Sequence, residues 1–154
     1  MPNVNEVITA ASRLHEQKDD AALEVVIGMR EKVITERPEL KDDVNLEVEY
    51  EEDMMGPLDD IKRLGKSIIR RWNKELFGIV CGNIGKDPKD REAVLTSLNL
   101  GEAAVIAAVA GVLVSLGVGG ALAAPLAPII VRRFIWPAKD ELCVAWREKI
   151  DAEH

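Results

Sequence analysis

Few residues of this chain are of types that do chemistry, and their spacing removes most of what they could do. Histidine occurs only at His15 and His154. His15 follows Leu14 at the end of an apolar-periodic stretch, where an exposed or capping imidazole is expected, not a general base. Neither serine nor cysteine stands in a GxSxG-type nucleophile turn. The stretch Gly82-Asn83-Ile84-Gly85-Lys86-Asp87 superficially suggests a phosphate-binding loop. It fails because Val80 occupies the place of the first glycine and Asp87 replaces the magnesium-binding Ser or Thr. Cys81 and Cys143 match no CxxC or Cys/His spacing, so two reduced, buried thiols are expected, with a disulfide as the alternative.

Carboxylates are abundant but poorly arranged for a metal. Glu47, Glu49 and Glu51 fall on one side of an extended stretch, yet no calcium-loop pattern surrounds them; Glu51-Glu52-Asp53 runs into Met54-Met55 where a glycine would be needed. The expectation is a chain that is not an enzyme, with no catalytic residue, no metal and no cofactor.

The elements that must position these groups follow from periodicity. Val4, Val7, Ile8, Ala11 and Leu14 recur at helical spacing, and after a polar turn so do Ala22, Leu23, Val26, Ile27, Val33 and Ile34. These two stretches read as an N-terminal helical hairpin over residues 1–38, with Asp19 or Asp20 capping the second helix and Pro38 just beyond its end.

Residues 39–56 differ in character. Between Glu36 and Asp60 eleven acids face only Arg37 and Lys41, and Val44, Leu46, Val48 and Tyr50 alternate with Asn45, Glu47, Glu49 and Glu51. Period-two alternation predicts one short acidic β-strand. A strand without a mate needs another chain or a second copy to pair with; otherwise the segment is an extended acidic linker.

Residues 57–154 form the expected helical core. Leu58, Ile61, Gly65, Ile68, Trp72, Leu76 and Ile79 make the seam of a long helix whose other side carries Lys62, Arg63, Lys66, Arg70, Arg71 and Lys74. The preceding acidic run supplies a countercharge for that side. Asp87-Pro88-Lys89-Asp90 starts a shorter helix.

Then come 29 uncharged residues, Ala103 to Val131. Gly117, Gly119 and Gly120 divide the run, leaving arms of only about 15–20 Å at 1.5 Å per residue, too short to cross a roughly 30 Å hydrocarbon core singly. A buried Ala/Gly-rich hairpin is predicted, with a new helix near Pro125, a break at Trp136-Pro137 and a last amphipathic helix from Pro137 to Ile150. The fold class is mainly α: a compact helical bundle around that hairpin.

Function follows only coarsely. A net charge of −7 disfavours nucleic acid as a general partner, and the absence of an apolar leader in residues 2–20 makes cytoplasmic residence the expectation. The first reading is a non-catalytic interaction or regulatory module that binds a protein partner or itself, with Val44, Leu46, Val48, Tyr50, Glu47, Glu49, Arg70 and Arg71 as contact residues. The alternative is a membrane-active protein that stores residues 103–131 and inserts them into lipid, with Leu113, Leu116, Leu122, Ile129, Arg132, Arg133 and Trp136 meeting the bilayer.

Overall fold

The computed structural model describes residues 3–82 and 88–152. The loop expected from Gly82 to Lys86, apart from Gly82 itself, the cap expected at Asp87 and the terminal His154 lie outside them. The mainly helical expectation holds: 82% of the described residues are helical, and none of them is in a strand. In chain order the elements are α1 (Val4–Gln17), α2 (Asp20–Glu36), a single turn α3 (Glu52–Met55), α4 (Leu58–Cys81), α5 (Pro88–Ser97), α6 (Glu102–Ser115), α7 (Gly120–Ile130) and α8 (Leu142–Ala152). Asn3 caps α1 by accepting from the Asn5 and Glu6 amides, and Asp19 caps α2 through Ala22.

α7 lies at the centre. Of its residues only Leu122 is less than fully buried, and Leu126, Ala127, Ile129 and Ile130 have no exposed surface. A helix that is apolar all round can be stable in water only if protein covers every side. Here α1 and α6 pack on it together, and α2 covers a further flank. The two N-terminal helices make their principal contacts with α7, α6 and α4.

Two prolines sit inside α7 and do not start a new helix. The chain also passes Trp136-Pro137 without breaking. One wide π turn (Val131–Ile135) and a 3-10 stretch (Trp136–Glu141) change the pitch and carry the helical path on into α8. Tighter and wider turns absorb the amide that Pro137 lacks, where a regular α-helix would have to kink.

The seam of α4 drifts. Ile61, Gly65 and Leu76 are buried as expected, but the others buried with them are Ile69, Asn73 and Val80. Leu58 is exposed, and Ile68, Trp72 and Ile79 are half-buried. The cause is a change of neighbour along one long helix: its first half packs on α2 and its second half meets α8. The α2 contact is a backbone approach. A methyl group on Gly65 would collide with the Glu24 carbonyl oxygen, and one on Gly28 with that of Ile61. In the second half, Asn73 Oδ1 accepts from the fully buried Trp146 indole at 2.8 Å, and Phe77 meets the same ring edge-on with centroids 5.4 Å apart.

One helical turn further along, Cys81 and Cys143 form a disulfide, with Cα atoms 5.5 Å apart. The expectation of two reduced thiols is therefore overturned. Docking of Trp146 against Asn73 and Phe77 brings the cysteines into register, and the 62-residue separation hid their proximity from spacing patterns. Closing such a loop stabilises the fold by about 4 kcal/mol.

The Gly65 contact makes a stability prediction. Gly65→Ala should lower the unfolding free energy by about 1–3 kcal/mol through overpacking. Gly111→Ala has space on α6 and should raise it by about 0.5–1 kcal/mol through helix propensity. Urea denaturation of the two variants measures both; equal effects would remove the close crossing from the account.

Candidate functional site

Of the residues expected to form a strand, Val44 and Asn45 lie in a turn closed by the Leu46 amide donating to the Asp43 carbonyl at 3.1 Å, and residues 46–50 are irregular, with no ladder bonds. Their alternation has another cause: Val44 and Leu46 are buried against the helices and Val48 is half-buried, while Asn45, Glu47 and Glu49 face out. Tyr50, expected on the apolar side, is exposed. The segment is a strap laid along α1 and α2. A groove of about 450 Å³ runs beneath it, lined on the helices by Leu14, Lys18, Met29 and Arg30 and on the strap by Leu46 and Val48.

The strap is tied at its start to the first turn of α7. The Ala121 amide donates to the Lys41 carbonyl at 2.9 Å, and the Gly120 amide to Asp42 Oδ1 at 3.2 Å. These bonds satisfy amides that every helix N-terminus leaves without an internal partner. Glycine is required for the approach: a methyl on Gly119 would strike the Lys41 carbonyl oxygen, and one on Gly120 would lie 2.8 Å from a Val44 methyl.

Arg30 completes the tie. Its side chain is 6% exposed, and Nη1 donates to the Ala121 carbonyl at 2.8 Å and the Val44 carbonyl at 3.2 Å. In a regular helix the Ala121 carbonyl would accept from the amide four residues on. That residue is Pro125, which has no amide proton. The Arg30 guanidinium fills the vacancy and carries α2, the strap and α7 on one group. Burial lowers its pKa to about 10, against the raising effect of Asp43, so it remains charged at neutral pH. Its Nε is buried without a partner, which leaves the guanidinium unevenly satisfied.

Beyond Leu46 the ties stop. Among the described residues no hydrogen bond uses the backbone of residues 47–50, and no ion pair uses Glu47, Glu49 or Glu51. The far end is held again, because the Tyr50 hydroxyl donates to the Gly56 carbonyl at 2.7 Å. Desolvation first, and then the negative field of Glu52, Asp59 and Asp60, hold that phenol above its ordinary pKa. Tyr50 and Met54, the latter 69% exposed, add apolar surface among the acids.

Among the described residues the expected match between the acidic run and the basic side of α4 is reduced to one exposed pair, Arg63 with Asp60 at the run's end. Arg70 and Arg71 are exposed, and Arg71 stacks over the neighbouring Trp72 ring at 4.8 Å. The carboxylate that α4 does engage is its own Asp60, with Arg63. The strap is drawn to α1 and α2 by its apolar side chains, so its charges point away from α4.

The residues named for the membrane alternative lie in the core or at its edge. Leu113 and Ile129 are fully buried, Leu122 and Leu116 half-buried. Arg132 and Arg133, successive on the π turn, reach the corner between α1 and α2. Arg132 Nη2 pairs with Asp20 at 2.7 Å and its Nη1 donates to the Lys18 carbonyl at 2.9 Å, capping the end of α1. Arg133 pairs with the buried Glu24 at 3.0 Å. Beside them His15 Nε2 meets Glu102 at 3.0 Å. Trp136 is half-buried under Lys139, whose ammonium lies 4.2 Å from the ring centroid.

Among the described residues no cluster of His, Cys, Asp or Glu is placed to hold a metal ion. No protein-family model, curated protein or solved structure matches this chain.

Sequence reasoning missed Arg30 and the glycines at 119 and 120 as parts of the site. Their signal was present: Arg30 falls on the apolar face of α2 at seven residues from Leu23, and Pro125 interrupts an apolar helix with no polar side chain to replace the lost amide.

The strap's close seat on α7 predicts that Gly119→Ala will lift it. Cleavage by a Glu-specific protease at Glu47 or Glu49 should accelerate by about tenfold or more, because local opening sets the rate. Far-UV circular dichroism should stay unchanged. Unaltered cleavage would mean that the contact does not hold the strap.

Proposed function

We propose that this protein is a non-catalytic interaction module and that the strap is its contact surface. The observation that carries the reading is a contrast within one segment. Residues 41–46 and Tyr50 are held by specific bonds and burial, while the backbone and carboxylates between them are unused. A plain linker has no need of such anchoring. A recognition segment gains from it, because an extended chain ordered in advance loses less entropy on binding. Bare backbone groups in extended form can add to a partner's sheet edge, and the row of acids selects a cationic partner surface. Protein partners and self-association both fit this surface, whereas its charge repels nucleic acid.

A photo-crosslinker placed at Glu49 should trap a defined partner in cells. The same group at Val144, which is 61% exposed on α8, should not. Indistinguishable products from the two positions would sink the reading.

One observation favours a membrane role as a second reading. The helical path from Gly120 to Ala152 is 33 residues long and is apolar and long enough to cross a bilayer, although 72% of its most apolar window is buried. Release would have to break the Arg132–Asp20 and Arg133–Glu24 pairs and expose α7. The expected outcome is no dye leakage from anionic liposomes at neutral pH; prompt leakage would put this reading first.

The closed Cys81–Cys143 bond belongs with an oxidising compartment and so weighs against the cytoplasmic residence expected from the sequence. Cells lysed directly into a thiol-alkylating reagent should yield the pair unmodified; full alkylation would return the chain to the cytoplasm.

A further inference from the structure

We infer that the strap's partner is a second copy of this chain, docked through the exposed basic stripe of α4. This inference rests on the strap being a contact surface and goes on to name what it contacts. Lys66, Arg70 and Lys74 follow one another at four-residue intervals, all exposed and with no carboxylate in ion-pair range among the described residues. They form a row of cations that rises about 12 Å along the helix at 1.5 Å per residue while turning about 80° around it. Glu47, Glu49 and Glu51 form a row of anions about 13 Å long at 3.3 Å per residue, equally exposed and equally unmatched.

The two rows agree in length, number and opposite sign. Apolar groups flank both: Tyr50 and Met54 beside the acids, and the half-buried Trp72 with its stacked Arg71 beside the cations. The rows do not meet within one molecule, because Val44 and Leu46 hold the strap on α1 and α2. In a second copy nothing prevents the meeting. The net charge of −7 opposes association at long range. At physiological salt the screening length is about 8 Å, so the local rows dominate over the distant charges.

Sedimentation velocity of the full chain tests the inference with two charge-reversed proteins. One carries Glu47→Lys, Glu49→Lys and Glu51→Lys; the other carries Lys66→Glu, Arg70→Glu and Lys74→Glu. All six positions are exposed, and circular dichroism verifies that each protein is folded. At physiological salt the wild type should associate at concentrations on the order of 100 μM. Each reversed protein alone should associate roughly 100-fold more weakly. Their equimolar mixture should recover association, since every strap then faces a stripe of opposite sign. Raising salt to 1 M, where screening acts within about 3 Å, should dissolve the wild-type complex.

A mixture that stays monomeric, or reversed proteins that associate as the wild type does, would overturn the inference. A wild type that is monomeric throughout would overturn it too. If crosslinking from Glu49 still traps a different protein in that case, the strap remains a contact surface and only its assignment to a second copy is wrong. A reversed variant that fails to fold leaves the wild-type salt series to decide, and association insensitive to 1 M salt would also overturn it.

Discussion

A single hydrogen bond from Arg30 to the Ala121 carbonyl does what the amide of residue 125 would do if it were not proline. Much of the molecule depends on that substitution. α7 has to be enclosed because it is apolar on every side, and an enclosed helix cannot send an orphan carbonyl to water. A buried cation is costly by itself. Here it is retained because two carbonyls, one on the central helix and one on the strap, need a donor that no neighbouring backbone supplies. The strap is therefore fixed by the same group that completes the core.

From this tie the path to function is short. The glycines at 119 and 120 let residues 41–44 approach the helix end, whose free amides they bind. Val44 and Leu46 then set the direction of the strap, and the acids alternating with them are turned outward. Anchoring thus produces presentation: the pattern that buries Val44 and Leu46 leaves Glu47 and Glu49 exposed. The basic stripe of α4 is displayed for a related reason, since Gly65 and Asn73 commit the adjoining face of that helix to α2 and α8.

The sequence was readable where one property dominated. The uncharged run from Ala103 to Val131 implied burial, and three-to-four-residue spacing implied helices. Reading failed where an element changes neighbours or where distant groups compensate each other. The α4 seam, extrapolated from Leu58 through Ile79, ignored the change of partner from α2 to α8. Alternation at Val44, Leu46 and Val48 signalled a half-buried extended chain, but period two does not distinguish a sheet from the flank of two helices. Pro125 indicated a helix start because the rule for proline assumes that the lost bond goes unreplaced, and the replacement lies 95 residues earlier in the chain. The cysteine pair was hidden for the same reason: docking of α8 on α4, absent from any local pattern, brings it together.

A double-mutant cycle on Arg30 and Pro125 tests the central tie most directly. Arg30→Met removes the surrogate donor, and Pro125→Ala supplies the backbone amide that proline lacks. Urea denaturation of the wild type, both single variants and the double variant gives the coupling between the two sites. If the guanidinium stands in for the missing amide, Pro125→Ala will be more stabilising in the Arg30→Met background than in the wild type, by about 1–2 kcal/mol. Effects that add to within about 0.5 kcal/mol would show that the two residues act independently, and the tie between α2, the strap and α7 would then need another cause.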